Sequence, residues 1–102
     1  MAIGKAVHVI SYKATRKFKA ARPDAGPALE NWYRVSSACK WTIFAEVMQV
    51  LGTADWVMPY VVFNIAGNKY RLIAEINFRS QTLFIRHILT HQEYLEGKWK
   101  KP

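Results

Sequence analysis

Arg71, Arg86, His91 and Tyr94 are the residues of this chain whose types and spacing suit phosphate chemistry. Arginine offers a planar fork that grips phosphate oxygens, and a neutral histidine accepts a proton near neutral pH. His91 lies in "THQEY", where Thr90 and Glu93 stand three apart as a capping box. His91 then takes the first position of a helix, and Tyr94 lies one turn along. A helix start favours a nearby anion and disfavours a charged imidazole. The combination suits a phosphate held beside a proton-accepting histidine.

Three strands must position these groups. Residues 60–90, "YVVFNIAGNKYRLIAEINFRSQTLFIRHILT", switch to an alternating period with two turn signals. Gly67-Asn68 is a two-residue hairpin signal, and Ser80-Gln81 is a weaker one. With Gly67-Asn68 central, Asn64 faces Arg71, Val62 faces Ile73 and Tyr60 faces Glu75. With Ser80-Gln81 central, Glu75 faces Arg86 and Arg71 faces Thr90. One sheet face then carries Val61, Phe63, Tyr70, Leu72, Ala74, Ile76, Leu83, Ile85, His87 and Leu89, and must lie under helices. The other carries Asn64, Arg71, Glu75, Arg86 and Thr90 among Val62, Ile73, Phe84 and Ile88, and no helix remains to cover it. Asn64, Arg71 and Thr90 meet at one end of this open face, next to His91.

The first half supplies the covering helices. "HVISYK" (8–13) reads as a strand, and 14–21 as a short basic helix with Ala14, Phe18 and Ala21 on one side, stopped before Pro23. Asp24 and Pro27 signal a second helix to about Ala38, with Leu29, Trp32, Tyr33 and Ser36 on one stripe. Thr42 is expected to cap a third, with Phe44, Val47, Met48 and Leu51 inward and Gly52 as the stop. Residues 53–59 read as a loop. The result is an α+β fold: a small antiparallel meander with the amino-terminal helices packed on one face.

Composition bounds the function class. The 102 residues predict one domain, 1–102, with a basic tail at about 95–102 that frays. Fifteen Lys and Arg against seven Asp and Glu give a net charge of +8, which favours a polyanionic partner. No apolar run is long enough to span a bilayer, and "MAIGKAVHVI" lacks the core of an export signal, so a cytoplasmic protein with no membrane partner is expected. One cysteine, Cys39, excludes an internal disulfide framework and reads as an inert helix-end thiol. His8, His87 and His91 are too scattered for a zinc pattern, so neither metal nor cofactor is expected.

The run from Tyr60 to Tyr94, with Asn-x-x-Gly-Asn-x-x-Arg and Thr-His-x-Glu-Tyr, resembles the signature of HigB-type toxins, in the RelE-like superfamily of messenger-RNA endonucleases. "WTIFAEVMQVLGTADWV" resembles the family's middle helix and loop. Ala66 stands where the familiar turn has glycine, and Leu95 where an acidic residue often follows the tyrosine. The resemblance implies metal-independent cleavage of translated message at the ribosomal A site. Attack by a 2′-hydroxyl would leave a 2′,3′-cyclic phosphate. It implies a helix-turn-helix HigA-type antitoxin, through which alone the toxin would reach operator DNA. It also implies site roles. Arg71 and Arg86 would stabilise the phosphate, His91 would be general base or acid, and Tyr94 a stacking or relay group. Asn64, Asn68 and Lys69 would position RNA, while Lys98, Arg16, Lys17 and Lys19 would meet RNA backbone.

Blander readings stand beside these. Arg86 and Glu75 can be an ordinary cross-strand ion pair, Tyr94 can pack its ring under the helix, and His87 reads as a core or edge histidine. Trp32, Trp41 and Trp56 read as core, whereas Trp99 is free to stack on RNA or a partner. The rival function is a non-catalytic module of the same fold that binds RNA or the antitoxin without cutting.

Overall fold

Residues 6–100 are described by a computed structural model. Residues 1–5, where the export-signal reading begins, and the last two of the basic tail, 101 and 102, lie outside the described residues.

Strand β1 is His8–Ile10, shorter than expected, because Ser11 turns the chain sharply with φ of 70°. Helix α1, Lys13–Ala21, follows, with Thr15 buried and its hydroxyl donating to the Tyr12 carbonyl at 2.6 Å. Pro23 cannot continue the hydrogen-bond ladder, so the chain makes a 3-10 turn over Pro23–Ala25 before α2, Gly26–Ala38. Leu29, Trp32 and Ser36 form the buried stripe of α2. Cys39 ends it, half-buried, and burial raises its thiol pKa. Helix α3, Phe44–Val50, buries Val47. Two expectations fail here. Ile43, not Thr42, is the boundary residue, and the Thr42 and Ile43 amides both donate to the Glu46 carboxylate. Met48 points outward and is 43% exposed, because so short a helix has a narrow buried side.

The segment expected to be a loop contains β2, Asp55–Val57, which pairs antiparallel with β3, Tyr60–Ile65. Strands β4, Tyr70–Asn77, and β5, Thr82–Thr90, complete a sheet of order β1-β5-β4-β3-β2, in which β1 runs parallel to β5. Helix α4, His91–Glu96, carries the expected capping box: Glu93 N–H donates to Thr90 Oγ1, and Thr90 N–H to Glu93 Oε1. Gly97 ends it with φ of 76°, and a second 3-10 turn spans Lys98–Lys100.

The first hairpin has the predicted register: Asn64 faces Arg71 and Val62 faces Ile73. The second does not. Its turn takes four residues, 78–81, so Asn77 pairs with Thr82 and Glu75 with Phe84. Gln81 is no exposed turn residue. It is buried, with φ of 55°, and its side chain bridges Trp41, accepting from the Trp41 amide at 3.0 Å and donating to the Trp41 and Phe78 carbonyls.

A bulge then resets the pairing. Ala74 faces Ile85 but Ile73 faces His87, which leaves Arg86 as the extra residue. An inserted residue reverses the alternation beyond it. His87 and Leu89 therefore move to the open face, opposite Ile73 and Arg71, while Ile88 turns to the helix side and joins the main core. Arg71 faces Leu89, not Thr90, which pairs with Tyr70.

The main core lies between the helices and the sheet, where Trp32 meets Phe63 edge-on at 5.4 Å. The opposite face is not left bare. The carboxy-terminal turn lays Trp99, 4% exposed, onto Val62 and Ile73, so residues 98–100 of the tail are docked rather than frayed. The Trp99 indole N–H donates to the Tyr94 carbonyl at 2.9 Å.

Candidate active site

Arg71 is buried, 7% exposed, and three acceptors fix its guanidinium. Nη1 donates to the carbonyls of Asn68 (3.2 Å) and Tyr70 (3.0 Å), and Nη2 donates to the Asn68 side chain at 2.6 Å. The guanidinium carbon lies over the Tyr94 ring, 5.4 Å from its centroid, and Tyr94 stacks on Trp99 at 5.2 Å with planes 13° apart. The Tyr94 ring thus lies between a cation and an indole, which leaves its hydroxyl as its reactive part. By donor count, Arg71 keeps its Nε–H and one Nη2–H for a ligand.

His91 joins this cluster through the first turn. Its backbone N–H donates to the Lys69 carbonyl at 2.9 Å, which sets the start of α4 against the β3–β4 turn. Its ring is half-exposed, and Nδ1 is buried with no partner among the described residues. Asn64, half-buried, lies beside Arg71 across the ladder. The fold therefore brings Asn64, Asn68, Arg71, His91 and Tyr94 together.

Arg86 is held apart. It lies three residues before Leu89, about 10 Å along the strand from the row of Arg71. It donates to Glu75 at 2.6 Å despite the changed register, and packs on the Phe84 ring at 5.0 Å. Lys69 pairs with Asp24 at 3.3 Å, while Lys98 stays exposed beside the carboxy-terminal turn. On α1, Arg16 and Lys17 are exposed, and Lys19 pairs with Glu30 at 3.5 Å. Lys17 lines a shallow groove with Arg86 and His87, so a basic edge runs from α1 onto β5.

Residues 25–96 match the family HigB_toxin, described as the RelE-like toxic component of a toxin-antitoxin system. The chain belongs to the HigB toxin family. Among similar proteins is the mRNA interferase HigB of Escherichia coli O6:H1 (strain CFT073). It is 29% identical over 91 residues, covering 86% of this chain and 88% of the relative. The mRNA interferase toxin HigB of Escherichia coli K12 is 46% identical over 48 residues, 47% of this chain and 46% of the relative.

Three residues around this candidate site escape a reading of the sequence. His87 is exposed on the open face only because of the bulge, which no turn residue announces. Trp99 is a wall of the site rather than a free stacking group. Asp24, legible only as a helix-start signal, accepts from the Tyr70 hydroxyl at 2.8 and 2.9 Å and from Lys69. The Tyr70 hydrogen bond, with Lys69 behind it, holds the Asp24 carboxyl below its ordinary pKa, and the same bond raises that of the Tyr70 phenol. This clasp ties the 3-10 turn to the β3–β4 hairpin that carries Arg71.

Proposed function

We propose that this HigB toxin is a ribosome-dependent endoribonuclease. It cuts translated message at the A site and is neutralised by a helix-turn-helix antitoxin of the HigA type. Family membership and the names of its relatives support the substrate, and the charge of +8 supports a polyanion. The observation that carries the reading is the fixed Arg71 guanidinium over the Tyr94 ring, on the hairpin whose turn receives the His91 amide.

The 2′-oxygen attacks the neighbouring phosphorus, the P–O5′ bond breaks, and the products are a 2′,3′-cyclic phosphate and a 5′-hydroxyl. One proton leaves the 2′-hydroxyl and one reaches the departing 5′-oxygen. Arg71 aims its remaining N–H groups at the phosphorane oxygens, where a preorganised donor gains most. Nδ1 is buried without a partner, so Nε2 is the ring nitrogen left for RNA. His91 acts as the imidazolium: Nε2–H passes to the 5′-oxygen, and the neutral ring that remains takes a proton back from water. Tyr94, its ring clamped, relays the 2′ proton through its hydroxyl to water. Asn64 and Asn68 orient the nucleotide, Arg86 meets a neighbouring phosphate, and Lys69, Lys98, Arg16, Lys17 and Lys19 attract the backbone.

Induced expression with mapping of message 5′ ends tests this. Wild type is expected to arrest growth and create ends inside translated codons. Arg71→Lys, which keeps charge but loses the fork, should cut roughly 100- to 1,000-fold less. His91→Ala should lose at least as much, while Arg86→Ala keeps most activity. Equal arrest by all four proteins, or intact message under wild type, would refute the reading.

A further inference from the structure

A second cavity adjoins the Arg71 cluster, between β5 and the carboxy-terminal turn. It encloses about 340 Å³ and is lined by His87, Leu89, Glu93, Glu96, Lys98 and Trp99. That volume is near the lower end of ligand sites (~300–1,000 Å³) and suits one base with part of its sugar. Leu89 stands opposite Arg71, and Trp99 stacks on the tyrosine beneath the guanidinium, so cavity and cluster share a wall.

We propose that this cavity takes one unstacked base of the message, next to the nucleotide whose phosphate Arg71 holds, and that it discriminates against uracil. The proposal rests on the reading of the chain as a message endoribonuclease.

The lining dictates the preference. Leu89 and Trp99 form an apolar wall, and the exposed His87 ring supplies a stacking surface. Two carboxylates stand at the rim, and a carboxylate only accepts hydrogen bonds. Glu93 commits one oxygen to the Thr90 amide at 2.9 Å and keeps the other. The three ion pairs among the described residues involve neither Glu96 nor Lys98. The carboxylates therefore require a base rich in N–H donors. Adenine and cytosine bring an exocyclic amine, and guanine an amine plus a ring N–H. Uracil brings a single ring N–H flanked by two carbonyl oxygens, which would face the carboxylates unpaired. Lys98 can meet one acceptor atom on any of the four bases, so the discrimination falls to the carboxylates.

Cleavage-site maps read this out. In wild-type maps normalised to message composition, uracil should be depleted about tenfold at one fixed position beside the cut. Glu96→Ala should erase that depletion, and Glu96→Lys, which puts a donor in place of an acceptor, should turn it into enrichment. A wild-type map with no uracil depletion at any position sinks the cavity alone. So does a depletion unchanged in both variants. In either case the endonuclease reading stands. If wild type cuts no message, that reading and the cavity fall together.

Discussion

The two hairpins of the HigB meander are joined by turns of equal length but place their functional groups differently. Between β3 and β4 the four turn residues hold a regular ladder, and every side chain keeps its predicted face. Between β4 and β5 the pairing slips at the turn and again at Arg86. The first hairpin supplies the rigid cation, Arg71. The second, through its bulge, turns His87 and Leu89 onto the same face. A regular ladder fixes a donor in one place, and an irregular one opens new side chains to it.

Three substitutions probe that contrast. Trp99→Ala should be the most damaging to stability, by about 3–5 kcal/mol, because it empties the wall against which the irregular hairpin and α4 pack. Chemical denaturation would measure the loss, and a change below 1 kcal/mol would mean that the turn is not docked in solution. Gly67→Val tests the regular hairpin. At φ of 66° a branched side chain is strained although nothing lies within 4 Å of a Cβ, so about 1–2 kcal/mol should be lost to backbone strain alone. The smallest effect belongs to Asp24→Asn. The depressed Asp24 pKa stabilises the fold above the ordinary carboxylate range, and that contribution disappears as the pH falls through the depressed value. The variant should therefore melt slightly lower than wild type at neutral pH and match it in acid. A gap that widens in acid would assign the clasp another role.

Legibility followed the same division. Gly67-Asn68, the Thr90–Glu93 capping box and the stripe Leu29, Trp32, Ser36 are local signals, and each lies where its chemistry predicts. Strand β2 has three residues, too few to show a period, and was hidden by the Met58-Pro59 boundary. The bulge leaves no mark because Arg86 and His87 are ordinary strand neighbours until the pairing partner is known. Trp99 was opaque for another reason. A tryptophan among lysines reads as exposed, and only the sheet's bare Val62 and Ile73 give it somewhere to go. Arg71 and His91 were legible at one end of the open face, since the faithful hairpin and the helix cap place them, whereas Tyr94 is placed by its stack between Arg71 and Trp99. The register that brought Thr90 opposite Arg71 was wrong by one residue.

If RNA is held as proposed, the stack of Arg71, Tyr94 and Trp99 has a consequence for how it is gripped. An arginine on a free stem surrenders about 2 kcal/mol of rotamer freedom when it grips a phosphate. Arg71 gives up that freedom during folding, clamped by Asn68 and Tyr70 on one side and by an aromatic ring on the other. The entropy is thus charged against the stability of the toxin and not against its affinity for message. On the proposed function, Trp99, separated from the guanidinium by the Tyr94 ring, helps to set how tightly the phosphate is bound.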